Sequence, residues 1–174
     1  MKGAHPVACV LPESALLQRH REAGAYTDCY AVDVAAPVAP ADFVEAFYTT
    51  WVFKLERAIL AALVAKPSTD AQARALARGE VDAFAAWRVE ARTQEQLLLC
   101  DFRGRTCSWL MAVPIDGGTR LYFGSAVIPV VDARTGRKAM GGAFAALLGF
   151  HKLYSRVLLR AAVARLRRRF VGGA

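Results

Sequence analysis

The sequence predicts an α+β fold in which a curved antiparallel sheet wraps around one long C-terminal helix. Three observations carry this. From Phe84 to Val131 the apolar residues alternate with a period of two between turn signals, the pattern of strands with two unlike faces. From Met140 to Phe170 the period becomes helical. Between these, no other segment is long and apolar enough to cover the sheet, and a sheet must bury its apolar side against something.

Taken in order, residues 1–25 are weakly patterned, with Pro12-Glu13-Ser14 able to open a short helix through Ala15, Leu16, Leu17 and Arg19. Tyr26 to Ala35 reads as a half-buried strand, because Cys29, Ala31 and Asp33 oppose Tyr30, Val32 and Val34. Asp42 to Val64 is helical in pattern through Phe43, Val44, Phe47, Trp51, Leu55 and Ile59. Thr49-Thr50 predicts a break in it, since consecutive β-branched residues lower helix propensity. Lys66-Pro67 ends the segment. Ser68 or Thr69 then caps a helix to about Arg78, stopped by Gly79.

The meander follows. Trp87, Val89 and Ala91 oppose Arg88, Glu90 and Arg92, and Thr93-Gln94-Glu95 turns the chain. Leu97–Phe102 is the next strand, Arg103-Gly104 a two-residue turn, and Arg105 to Val113 the strand after it. Asp116-Gly117-Gly118 is the strongest hairpin signal, and Leu121–Val131 the last long strand. A loop from Asp132 to Gly136 leads into the terminal helix.

At about 100° per residue, Phe144, Leu147, Leu148, His151, Ser155, Leu158, Ala162 and Leu166 share one side of that helix. Lys152, Arg156, Arg160 and Arg167 form a narrow stripe, with Leu153, Val157 and Ala161 beyond it. The apolar arc is wider than one packing surface needs, which leaves a ligand, a second subunit or a lipid surface as its further cover. The element order is that of a helix-grip arrangement, commonly with a cavity between sheet and helix.

The chain has 174 residues and a net charge of +8, the size of a single domain, 1–174, with a real core. The charge is uneven. Asp132 is the last acidic residue and ten bases follow it, so the first 132 residues hold 13 bases and 15 acids. The basic C-terminal segment suits phosphates of an anionic membrane surface, or is simply a solvated face. Nucleic acid is disfavoured as a partner, because only Tyr154 and Phe170 interleave with the bases as stacking groups. His5, Pro6, Pro12 and Glu13 interrupt any signal-peptide core, and Ala139–Phe150 is too short to span a bilayer, so a cytoplasmic location is expected.

Catalytic signatures are absent: no nucleophile elbow, phosphate-binding loop, dinucleotide fingerprint or zinc-protease helix occurs. No catalytic residue, metal ligand set or cofactor is therefore assigned. The four cysteines contain no C-x-x-C pair. A two-residue turn at Arg103-Gly104 sets Cys100 opposite Cys107 at a hydrogen-bonded position, where backbones sit further apart, so adjacent free thiols are expected. His151, on the apolar helix face, is either a cavity contact or a buried histidine satisfied by a nearby oxygen. Asp101, opposite Thr106, is either a cavity acid or the partner of a nearby base. Trp109, Tyr122 and Trp87 either line a cavity or are plain core.

Asp28-Cys29-Tyr30, Leu99-Cys100-Asp101-Phe102-Arg103 and the stretch Gly149 to Leu159 resemble a bacterial family of unknown function in the START-like (Bet v 1-like, polyketide-cyclase-like) superfamily. That resemblance covers roughly residues 26–165 and implies an apolar cavity, often for lipid, sterol or polyketide ligands. It leads to one expectation, a small apolar ligand held near His151, Asp101, Trp109 and Tyr122, with Lys152, Arg156, Arg160 and Arg167 facing an anionic surface. Two others stand beside it: a cyclase- or hydratase-type enzyme using His151 with Asp101, and a homodimer formed through the wide helix face without a cavity.

Overall fold

A computed structural model describes the backbone of residues 5–55, 57, 67–131, 138–139 and 143–172, and the side chains of all these except 130–131, 138–139, 143–152 and 171–172. The elements are β1 (Val7–Ala8), α1 (Gln18–Glu22), β2 (Tyr26–Val34), α2 (Pro40–Tyr48), α3 (Asp70–Ala77), β3 (Ala83–Phe84), β4 (Trp87–Arg92), β5 (Gln96–Asp101), β6 (Thr106–Ile115), β7 (Gly118–Val127), β8 (Val130–Val131), β9 (Lys138–Ala139) and α4 (Ala143–Gly172). Seven strands form one curved antiparallel sheet in the order β1-β2-β7-β6-β5-β4-β3, and β8 pairs with β9 apart from it. This is the helix-grip architecture that the alternation and the terminal helix predict.

The hairpin register follows from the turns. Ile115 pairs with Gly118 across Asp116-Gly117, and Gly117 takes φ +75°, a left-handed conformation that glycine adopts without a Cβ penalty. The expected break in the helical segment also appears. α2 stops at Tyr48, and residues 51–55 resume the helix. Thr49 Oγ1 donates to the Glu45 carbonyl at 2.7 Å, and Thr50 Oγ1 accepts from the Phe53 amide at 3.2 Å, so the two hydroxyls satisfy the backbone at the interruption. Thr69 caps α3 in a capping box with Gln72. Lys54 and Arg57 pair with Asp70 at 2.6 and 2.7 Å, tying both to the start of α3.

The inner face of the sheet carries Tyr30, Val32, Leu97, Leu99, Leu110, Leu121 and Phe123. They pack against Leu158, Leu159, Ala162, Val163 and Leu166 of α4, and equally against Phe43 and Phe47 of α2 and Leu76 of α3. The expectation of a single lid is thus corrected: α2 shares the face, because its Phe43-Val44-Phe47 spacing makes an apolar stripe of its own. Arg169 reaches back from α4 to Glu45 and, at 3.8 Å, to Asp42 of α2. Ser155, Leu158, Ala162 and Leu166 are buried as expected, and Leu153 is exposed. The side chains of Phe144, Leu147, Leu148, His151 and Lys152 lie outside the described ones.

The outer face is also buried. Leu98, Trp109 and Met111 alternate with the inner residues and pack under Leu11, Ala15 and Leu17. The weakly patterned N-terminal segment is therefore core. Its helix is α1, shifted past the expected Pro12 start, and Leu17 sits so close to the sheet that a Cβ on Gly124 would lie 3.1 Å from it.

Cys100 and Cys107 are opposite each other, as the register predicts, but they form a disulfide with Cα atoms 4.1 Å apart, not two free thiols. The loop explains the miss. It spans four residues, Phe102 to Arg105, with Asp101 opposing Thr106. Lengthening the loop changes which pairs are hydrogen-bonded, and 4.1 Å belongs to the close, non-hydrogen-bonded class.

Candidate functional site

A pocket of about 380 Å³ opens between the inner face of the sheet and α4. Its apolar wall is made by Phe47 of α2, Phe53 from residues 51–55, Phe123 of β7 and Leu158 of α4. These side chains converge because strands β6 and β7 turn every second residue inward while α4 presents Tyr154 and Leu158 one turn apart. The rings of Phe47 and Phe123 lie 4.8 Å apart, and Phe47 meets Tyr48 edge-on at 5.2 Å, so the wall is a rigid aromatic block.

The polar groups are few. Ser108 and Ser125 sit at inward positions of β6 and β7. Ser108 Oγ hydrogen-bonds the Tyr48 hydroxyl at 3.1 Å. Ser125 donates from both its amide, at 3.1 Å, and its hydroxyl, at 2.6 Å, to Oδ1 of Asp28 on the facing strand. Burial first, then the Asp28 charge, pushes the phenols of Tyr26 and Tyr30 above their ordinary range, so both keep their protons. Trp87 of β4 borders the pocket, and its buried Nε1 has no hydrogen-bond acceptor among the described residues. A buried donor left in this way favours a ligand or water oxygen near it.

Of the four expected ligand contacts, the three with described side chains do not meet there. Asp101 lines the pocket, but its carboxylate is engaged by its own hairpin. Oδ1 accepts from the amides of Arg103 and Arg105 at 2.8 and 3.0 Å, and Oδ2 from the amide and hydroxyl of Thr106 at 3.1 and 2.7 Å. It is a loop clamp. Trp109 and Tyr122 are on the outer face, their rings 6.1 Å apart, and Trp109 Nε1 donates to Gln96 Oε1 at 2.8 Å. Odd and even residues of β6 and β7 face opposite ways, so neither aromatic reaches the pocket. His151 belongs to α4, but its side chain is outside the described ones. The residues missed, Ser108 and Ser125, had a signal: each is a small hydroxyl at an inward position of an otherwise apolar strand.

Of the expected basic stripe, Arg156, Arg160 and Arg167 are exposed, and Lys152 lies outside the described side chains. Arg156 stacks over the Tyr30 ring at 5.5 Å. A second, open groove brings Arg165, Arg168 and Arg169 beside Trp51, which is 70% exposed. Among the described residues, no helix is long and apolar enough to cross a membrane.

On the outer face, His20 of α1 and Glu90 of β4 approach the Cys100–Cys107 disulfide. His20 Nε2 is 3.5 Å from Cys107 Sγ, 3.7 Å from Cys100 Sγ, and 3.0 and 3.1 Å from the Glu90 oxygens. Arg19 holds Glu90 at 3.2 Å. Among the described residues this is the one group of His, Cys and carboxylate ligand atoms that converges, all within 4.8 Å of one another. The sequence showed its cysteine half through the register and gave no sign of the other two.

No protein-family model matches the chain, and no curated protein matches it. Among solved structures, it is similar to protein Ms6760 from Mycobacterium smegmatis, at 12% identity over 85% of this chain and 92% of that one, with a TM-score of 0.39.

Proposed function

We propose that this chain binds a small apolar molecule in the pocket between the sheet and α4. The observation that carries the reading is the pocket itself: about 380 Å³ bounded by Phe47, Phe53, Phe123 and Leu158, in the size range of small-molecule sites. Its composition fits such a guest, since few polar groups converge on it. The resemblance of the element order to the START-like superfamily supports the same reading by analogy of fold. Binding is favoured over a cyclase- or hydratase-type reaction because Asp101, the acid that such a reaction would use, is committed to its hairpin loop.

The test uses 1-anilinonaphthalene-8-sulfonate as probe and a long-chain fatty acid as competitor, with native mass spectrometry of the purified protein to detect a co-purifying guest and count subunits. Saturable binding at one probe per chain, displaced by the fatty acid, is the expected result. Absence of saturable binding overturns the reading.

A second reading has its own observation. Trp51 is exposed beside Arg165, Arg168 and Arg169, an aromatic next to cations as in proteins that touch anionic membranes. Sedimentation with phosphatidylserine vesicles should exceed that with phosphatidylcholine vesicles and fall with salt. Equal sedimentation removes this reading.

A further inference from the structure

We propose that the outer-face cluster is a redox-gated zinc site: once the Cys100–Cys107 bond is reduced, Cys100, Cys107, His20 and Glu90 bind one zinc ion. The ligands come from four different elements, α1, β4, β5 and β6, yet their donor atoms fall within 4.8 Å of one another. Two sulfurs, one imidazole nitrogen and one carboxylate oxygen form a donor set that zinc accepts in tetrahedral geometry.

The distances from His20 to the two sulfurs already suit it, and those of Glu90 are shorter than a bound ion would set. Zinc bonds of about 2.0–2.3 Å at tetrahedral angles set ligand atoms about 3.3–3.8 Å apart. His20 Nε2 stands 3.5 and 3.7 Å from the two sulfurs and 3.0 and 3.1 Å from the Glu90 oxygens. The two sulfurs must part, and the Glu90 carboxylate, 2.8 Å from Cys100 Sγ, must draw back from it; rotations about side-chain bonds supply both movements.

Glu90 supplies a further argument. Its Oε2 lies 2.8 Å from Cys100 Sγ. A disulfide sulfur has no proton to donate, so in the oxidised state this contact is not a hydrogen bond. A cation shared by the sulfur and the carboxylate gives it a reason. The cysteines are buried, while His20 and Glu90 keep 15% and 29% of their side chains exposed, so an ion arrives from the His20–Glu90 side. Two thiolates and a carboxylate around zinc leave one net negative charge, and Arg19, 3.2 Å from Glu90, stands where it offsets that charge.

The chemistry balances with a dithiol as reductant. Two electrons and two protons pass to the sulfurs, giving two thiols, and the reductant leaves as its own disulfide. Zinc then displaces the two thiol protons. A reducing compartment thus holds the zinc form, and an oxidising one the disulfide. The inference does not rest on a guest in the apolar pocket, which opens on the inner face and which Cys107 also borders.

The experiment titrates cobalt(II), as a spectroscopic stand-in for zinc, into full-length protein with and without prior reduction by a phosphine, under argon. Expected for the reduced protein is one cobalt per chain, with a thiolate-to-cobalt charge-transfer band, the intense visible bands of a tetrahedral centre, and displacement of both by zinc. The oxidised protein should show neither band. His20→Gln and Glu90→Gln should each weaken cobalt binding by about tenfold or more, and Cys100→Ser with Cys107→Ser should abolish the charge-transfer band. Should the serine variant fail to fold, His20→Gln decides, since it keeps both cysteines. Cys9 and Cys29, whose sulfurs are 3.3 Å apart, are the control. A band that survives loss of Cys100 and Cys107 but vanishes with Cys9→Ser overturns the proposal, as does a reduced protein without the band or an affinity that neither His20→Gln nor Glu90→Gln moves.

Discussion

The two faces of the sheet are drawn from the same strands and do different things. On the inner face, α2, α3 and α4 approach, and helices meeting a curved surface leave a pocket of about 380 Å³ beside Phe123 and Leu158. On the outer face, the irregular stretch from Leu11 to Leu17 lies flat, and Trp109, Leu98 and Leu17 are each fully buried. Helices are stiff cylinders and cannot follow a twisted sheet everywhere. A segment without regular structure can, so it covers Leu98 and Trp109 completely, although beyond it a groove of about 400 Å³ opens at the β1–β2 edge beside Cys9 and Tyr122. The hollow side suits a guest; the filled side can hold side chains such as His20 and Glu90 in fixed positions around two sulfurs.

Four substitutions test this difference. The largest effect is expected from Leu17→Ala. If the N-terminal segment is true core, the change removes a fully buried side chain and should cost about 2–5 kcal/mol, read from urea denaturation. A loss near zero would make the segment a loose cover and end the contrast. Gly124→Val comes next. A Cβ there meets the Asp28 carbonyl at 2.9 Å and the Trp109 ring at 3.0 Å, so overpacking should cost about 1–3 kcal/mol. On the inner face, Leu158→Phe enlarges a residue that borders the pocket. It should cost less than about 1.5 kcal/mol while lowering anilinonaphthalene sulfonate binding at least about tenfold, or about 1.4 kcal/mol. A cost equal to that of Gly124→Val would show that both faces are filled alike.

The smallest effect concerns acid. Asp33, on the outer side of β2, pairs with Arg120 at 2.6 Å, and that hydrogen bond holds its carboxyl below the usual range despite some burial. A depressed folded-state value contributes stability above the unfolded carboxylate value of about 3.9, and the contribution is lost as pH falls through the lower folded value. Because the pair is exposed, Asp33→Asn should leave neutral-pH stability nearly unchanged and slightly flatten the acid limb of a melting-temperature profile.

Much of the architecture was legible from the chain. Period-two alternation placed β2 and β4–β7, Asp116-Gly117 fixed one hairpin, Thr49-Thr50 marked the break after α2, and the sides of α4 were right for Ser155, Leu158, Ala162 and Leu166. Each depends on a local rule: a side chain's direction repeats every two or 3.6 residues, whatever it meets. The site was less legible. Trp109 and Tyr122 read as pocket residues in the sequence because aromatics on strands look alike until it is known which face holds the hollow.

The sequence by itself determined the strands, the register that sets Cys100 opposite Cys107 and the long helix, since these follow from periodicity and turn chemistry within short windows. Only the tertiary structure decided that residues 11–17 are core, that Asp101 clamps a four-residue loop and so brings the two sulfurs to bonding distance, and that His20 and Glu90 arrive beside them. The first and the last of these depend on segments about 70 to 90 residues apart meeting across a sheet, and no periodicity along the chain encodes which distant side chains a fold will bring together.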